Sequence, residues 1–343
     1  MYKILLAFLA IPLLWWSLRD IPLPEIYDTL LGVSPLGLLG LALLNGFIFL
    51  LLTSRWWLLI RALGNRLPFL SLVGYRLAAF GITYFTPGPQ FGGEPLQVHL
   101  VQSRHHLSGS VALAGVAMDK LVELLVNFSF LVFGLMLVFH FRLLHSPISS
   151  LTLFITLGML VLPVIYLLLL RMGYHPFTTL LSRPVKLEKW KTAFWRIKLP
   201  VESAEEQVAG LLRHKPKALG GALTISLLAW ICMIAEYWLA LRVLGIHLEP
   251  FQVIFALTAV RIAFLLPFPA GVGALEAGQV AAMQMLGVEP ALGISVSLLI
   301  RARDLSLGVL GLWLGGLLTR LGPMRPSAVA QPINVNIQRR NQR

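Results

Sequence analysis

The chain has 343 residues, 57% of them hydrophobic and only 13% charged, with a mean hydropathy of +0.80. Soluble domains carry about a quarter charged residues, so this composition excludes an ordinary globular protein and points to lipid. Lys and Arg number 28 against 15 acids, a formal charge of +13, and the one cysteine, Cys232, excludes an intrachain disulfide framework and a Cys-based metal site.

A helix needs about 20 apolar residues to cross roughly 30 Å of hydrocarbon. The first apolar stretch, 3–18, is short and lacks a small-residue cleavage site before Arg19-Asp20, so it reads as a retained anchor. A full span follows at 36–54. The next stretch, 70–103, is broken near its middle by a Pro/Gly cluster and reads as a helical hairpin. Spans at 109–139 and 148–170 complete a first half, 36–170. A basic, proline-containing loop, 171–217, carries a candidate amphipathic surface helix at 201–212. The second half, 218–319, holds a span at 218–243, a second broken stretch at 251–286 and a last span at 290–319. The membrane domain is thus placed at 1–321, and the basic, Asn- and Gln-containing tail 322–343 reads as disordered.

The cations set the orientation. With the N-terminus inside, 20 of them, Arg55 included, fall in inside segments and three outside, provided that each broken stretch enters and leaves on one side. That asymmetry explains the basic balance without a nucleic acid. The expected fold is therefore an all-α polytopic membrane protein with about six full transmembrane helices and two re-entrant hairpins, both termini cytoplasmic; the charge count itself allows an equivalent even number of crossings in each broken stretch.

The two breaks resemble each other. Pro87-Gly-Pro-Gln-Phe-Gly-Gly-Glu94 and Pro269-Ala-Gly-Val-Gly-Ala-Leu-Glu276 align at a constant offset of 182, which pairs Pro87 with Pro269, Glu94 with Glu276, Gln97 with Gln279 and Val98 with Val280. The first hairpin would enter from the cytoplasm and the second from outside, an inverted pseudo-repeat of the transporter type. Broken backbone inside a membrane is tolerated where protein or a wet cavity satisfies it. Helices restarting near Glu94 and Glu276 would aim free N–H groups inward, a setting for anions; the alternative is that each Glu simply caps its own helix and the Pro/Gly clusters are packing kinks. Gly92, Gly93, Gly271 and Gly273 belong to these tips.

Six acids (Glu94, Asp119, Glu123, Glu236, Glu276, Asp304) and five bases (Arg76, Lys120, Arg261, Arg301, Arg303) lie in apolar segments. Each costs at least about 2.5 kcal/mol at the midplane, so near balance implies pairing around a polar interior. Asp119 and Glu123 share a helix face and repel unless a cation or proton intervenes. Arg301 and Asp304 are spaced to pair within one helix, and Arg303 needs another partner or an anionic ligand. Glu94, Glu276, Asp119, Arg301, Arg303 and Asp304 are the candidate substrate-binding side chains. Arg76 reads as a snorkelling residue, and Trp56 and Trp57 read as interface anchors.

Other signals are weak. Gly271-Val-Gly-Ala-Leu-Glu276 has no preceding strand and is not a dinucleotide fingerprint. His99, His105 and His106 are poorly spaced for a metal. No cofactor, metal or nucleic-acid partner is expected.

The Pro-Gly-x-x-Gly-Gly-Glu94 cluster, the run from Ser108 ending Met118-Asp119-Lys120, and Phe268 to Glu276 with Arg301 downstream resemble the lysylphosphatidylglycerol synthase transmembrane region, a flippase-like integral membrane family. The resemblance spans about 36–318. It implies a membrane region that moves a modified lipid between leaflets, while a separate soluble domain makes that lipid. The 343 residues leave no room for that aminoacyltransferase domain, so synthase activity is not expected. Lys120 stands where the family commonly has Arg, and an ammonium lacks the fork that grips phosphate.

The expected function is transport of a phospholipid or lipid-linked headgroup across a bacterial inner membrane through a polar cavity. A membrane-embedded transferase using the buried carboxylates, and a non-catalytic partner of a synthase or glycosyltransferase, are the alternatives.

Overall fold

The computed structural model describes residues 32–86, 92–140, 150–182, 188–266, 268 and 271–320. The expected anchor 3–18, the tip residues Pro87 and Pro269 and the tail 322–343 lie outside the described residues. Within them the chain is helical: α1 Pro35–Ala62, α2 Phe69–Phe85, α3 Glu94–His105, α4 Gly109–His140, α5 Ser150–Met172, α6 Pro176–Leu181, α7 Glu188–His214, α8 Pro216–Val243, α9 Pro250–Leu265, α10 Ala274–Met285 and α11 Pro290–Arg320.

Local chemistry sets the boundaries. Proline opens α1, α6, α8, α9 and α11, where its missing N–H costs no helical bond. Ser34 Oγ caps α1 by accepting from Gly37 N–H at 3.1 Å. Among the described residues, three helices, α1, α4 and α8, are long and apolar enough to cross a membrane. The 31 residues of α11 would rise about 46 Å, but Arg301, Arg303 and Asp304 interrupt its apolar run.

Each expected break separates two helices that fold back on each other. Tyr75 of α2 meets His105 of α3 through a 2.9 Å hydrogen bond, and Thr83 meets Gly93 at 3.0 Å, so the two run antiparallel. Gln279 of α10 donates to the Ala256 carbonyl of α9 at 3.2 Å, and Gly271 abuts Phe264, the same arrangement in the second half.

The hairpins are held by the helices that flank them. α1 packs along α8, α2 along α11, and α9 on α4. The α2–α11 contact depends on small residues: a Cβ on Gly81 would stand 2.6 Å from Leu312 N, and one on Gly311 would stand 2.1 Å from the Leu77 carbonyl. Backbones approach this closely only where side chains are absent, as at helix crossings in membranes.

The basic loop is more ordered than its polarity implies. The surface helix expected at 201–212 is the second half of α7, and its apolar face is buried. Ala204, Val208, Leu211 and Leu212 pack in one core with Leu59, Met118 and Val122. Spacing of i, i+4, i+7 and i+8 makes a stripe that serves a protein bundle as well as a lipid surface. Glu205 on that face accepts hydrogen bonds from Tyr166 OH, Phe177 N and Thr178 N, each at 2.9 Å, and from Thr178 Oγ1 at 2.6 Å. It thereby caps the N-terminus of α6.

Candidate functional site

A cavity of about 300 Å³ lies where the two broken hairpins face each other. Thr86, Gly93 and Glu94 line it from the first hairpin's break, Phe268 and Gly271 from the second's, and α1, α2, α4, α8, α9 and α11 complete its wall. Two groups of charged side chains occupy that wall.

The first group is centred on Asp119. Arg55 Nε lies 2.7 Å from Asp119 Oδ1, and Arg76 Nη2 contacts Asp119 Oδ2. Arg55 also reaches Glu123 Oε2 at 3.4 Å and donates to Ser226 Oγ at 3.2 Å. Lys120 Nζ bridges Glu123 Oε1 at 2.7 Å and Glu94 Oε1 at 3.3 Å. The repulsion expected between Asp119 and Glu123 is thus relieved by Arg55, a residue that the charge count placed in an inside loop. Arg55 is 1% exposed, well inside α1, which runs on to Ala62. Arg76, read as snorkelling, is buried in the same group.

The second group belongs to the other half. Arg303 Nη1 lies 2.6 Å from Glu236 Oε1 and its Nε lies 2.8 Å from Asp304 Oδ1. Asn45 Nδ2 also donates to Glu236 Oε1, at 3.0 Å. Arg301 reaches the second tip. Its Nε contacts Glu276 Oε1, and its Nη2 lies 2.8 Å from Glu276 Oε2. A guanidinium fork matches both oxygens of one carboxylate better than a single oxygen on its own helix.

The tips repeat their chemistry. Glu94 Oε2 accepts from Gly92 N–H at 2.8 Å, and Glu276 Oε2 accepts from Gly273 N–H at 2.9 Å. The other oxygen of each takes a cation from the helix after the hairpin, Lys120 on α4 or Arg301 on α11. Two glycines make this possible. Gly273 holds φ +80, and a Cβ on Gly93 would stand 2.2 Å from the Ala79 carbonyl.

Of the candidate residues, Glu94, Asp119, Arg303, Asp304, Gly93 and Gly271 line the cavity. Glu276, Arg301, Gly92 and Gly273 stand outside its lining. Glu276 is 3% exposed, beneath the second tip. Sequence reading missed Arg55, Ser226, Asn45 and Trp230 as wall residues. One signal for Arg55 was available, since two carboxylates at i,i+4 in an apolar helix require a cation or a proton. Trp56, expected at an interface, is fully buried, with the Arg76 guanidinium 5.9 Å from its ring centroid. Trp57 Nε1 donates to the Leu67 carbonyl at 3.0 Å.

The arrangement is a polar chamber inside an apolar bundle. The Lys120, Glu94 and Glu123 side chains are 17%, 25% and 33% exposed, whereas Arg55 and Asp119 beneath them are closed to solvent. A charged or polyhydroxyl group can therefore exchange with the upper ion pairs while the lower ones hold the wall. The family model for the lysylphosphatidylglycerol synthase TM region matches residues 1–311. No curated protein and no solved structure matches the chain.

Proposed function

Because the chain belongs to the lysylphosphatidylglycerol synthase TM region family, we propose that it moves a phospholipid or lipid-linked headgroup between leaflets of a bacterial inner membrane through the cavity between its hairpins. Family membership and the apolar helices make it an integral membrane protein with a lipid-related function. The observation that carries the transport reading is one cavity, lined at once by Glu94 of the first hairpin and Gly271 of the second and walled by ion pairs.

Length supports re-entry. α3 and α10 have 12 residues each and rise about 18 Å, short of the roughly 30 Å of hydrocarbon. Each hairpin then begins and ends on one side, as the cation asymmetry requires. The matching tip bonds of Glu94 and Glu276 support an inverted repeat, with α1 to α4 related to α8 to α11 and substrate at their junction.

In this mechanism the headgroup leaves one leaflet, enters beside the partly exposed Lys120 bridge and replaces its ion pairs. Acyl chains stay in hydrocarbon along the apolar outer faces. Movement of one hairpin against the other opens the cavity toward the second leaflet. Each half is stiffened by buried ion pairs, so rigid-body motion is favoured over local unfolding.

Reconstitution tests this. Purified protein in phosphatidylcholine–phosphatidylglycerol vesicles carrying a fluorescent phospholipid should speed leaflet exchange, read as loss of protected fluorescence to an impermeant quencher. E94Q should slow exchange about tenfold. Exchange at the protein-free rate for the wild type, across phospholipid and lipid-linked sugar probes, would refute transport.

A further inference from the structure

Five bases reach the cavity wall: Arg55, Arg76, Lys120, Arg261 and Arg303. Among the described residues, four of them lie within ion-pairing distance of a carboxylate, and Arg261 does not. Its guanidinium rests 4.8 Å from the Trp230 ring centroid, and Trp230 is stacked on Phe130. Among the described residues its Nη2 donates to the Met233 thioether at 3.1 Å, a weak acceptor, and its Nε is buried with no acceptor.

The surrounding charges explain why no internal partner takes it. Glu236, Asp304 and Glu123 line the same cavity as Arg261, as does the cation Arg303. Each of those acids is held elsewhere, Glu236 and Asp304 by Arg303 and Glu123 by Lys120 and Arg55. A desolvated guanidinium with unused donors is costly unless something supplies acceptor oxygens. The aromatic face stabilises the cation and fixes the plane of its fork without using its N–H donors.

We propose that Arg261, seated on Trp230, binds the phosphoryl group of the ligand that occupies the cavity. This rests on reading the cavity as a headgroup site, and it names the anion-binding residue and the chemistry it selects. Three N–H directions in one plane suit the oxygens of a phosphodiester. A neutral headgroup would leave the same donors empty.

Binding to the purified full chain in detergent tests the assignment, with dihexanoylphosphatidylglycerol, glycerol 3-phosphate and dihexanoylglycerol as probes. R261Q should weaken dihexanoylphosphatidylglycerol about tenfold or more and leave dihexanoylglycerol unchanged. R261K, which keeps the charge and loses the fork, should fall between. Unliganded R261Q should melt no lower than wild type because it loses no carboxylate partner, whereas R303Q should melt lower. A matching, Arg261-dependent affinity for glycerol 3-phosphate supports the site and makes free phosphoryl compounds its ligand; dependence confined to the lipid probe supports a lipid headgroup. Equal affinities in wild type, R261K and R261Q overturn the proposal, as does an R261Q melting loss equal to that of R303Q without any change in binding. Failed leaflet exchange with Arg261-dependent binding intact would sink transport alone. Normal exchange with Arg261-independent binding would sink this assignment alone.

Discussion

Arg55 Nε lies 2.7 Å from Asp119 Oδ1, with the two side chains 2% and 8% exposed. The contact joins α1 to α4, and through Arg76 and Ser226 the same cluster reaches α2 and α8. Four helices thus meet at one buried carboxylate and its cations. Removing one member of a buried pair leaves an uncompensated charge, so R55M should lower stability by about 3 kcal/mol. The double variant R55M/D119L should recover only part of that loss, because Arg76 is then left unpaired. Thermal melting in detergent across the four proteins of this cycle measures the coupling.

The two tips are chemically alike and mechanically unequal. Glu276 is buried with both oxygens engaged by Arg301, whereas Glu94 is partly exposed and meets Lys120 at 3.3 Å. E276Q should therefore destabilise the protein by about 3 kcal/mol. E94Q should cost no more than about 1 kcal/mol, as for exposed ion pairs, while slowing lipid exchange. Melting curves and exchange rates on the same preparations separate the two effects. Equal melting losses would remove the distinction between a latched tip and a working one.

Helix α2 crosses α11 at glycine. Because a Cβ on Gly81 would meet three α11 backbone atoms within 2.9 Å, G81A should force the helices apart and cost about 2 kcal/mol. Gly316 has nothing within 4 Å of its Cβ position, so G316A should be neutral or mildly stabilising. Melting of the two variants compares crossing with surface directly.

Re-entry has a labelling signature. In a C232S background, cysteines at Arg66 and Gln102 flank the first hairpin, and those at Glu249 and Glu289 flank the second; all four sites are exposed. An impermeant thiol reagent added to intact cells should spare the first two and label the last two. Opposite reactions within either pair would mean that the hairpin crosses the membrane.

Glu205 accepts four hydrogen bonds, two of them from the Phe177 and Thr178 amides. An amide at this position presents a donor to some of those donors, so E205Q should loosen α6 from α7 at a cost of about 2 kcal/mol. Faster hydrogen exchange at Phe177 and Thr178 is the expected readout.

Composition, Pro/Gly punctuation and hydropathy in the sequence were enough for an all-helical membrane chain and for a break near the middle of each of the stretches 70–103 and 251–286. These are properties of the local chain: a segment's transfer to lipid and its ability to continue a helix depend on its own residues. Partner choice is not local. Asp119 and Glu123 announced that a cation or a proton was needed, and Arg55, 64 residues away from Asp119, supplies the cation because α1 packs against α4. Arg301 had Asp304 within helical reach, but the spacing within its own helix gave no sign of Glu276, which the second hairpin brings to it in a geometry that suits both oxygens. The face of α7 was readable as amphipathic, but packing against Leu59 and Met118 made it core. The orphaned Nε of Arg261 arises the same way, since among the described residues the folded bundle assigns Glu236 and Asp304 to Arg303 and Glu123 to Lys120 and Arg55. Charges in lipid are costly enough to demand partners, and tertiary packing chooses among them because ion pairing falls off steeply with distance and depends on the angle of approach.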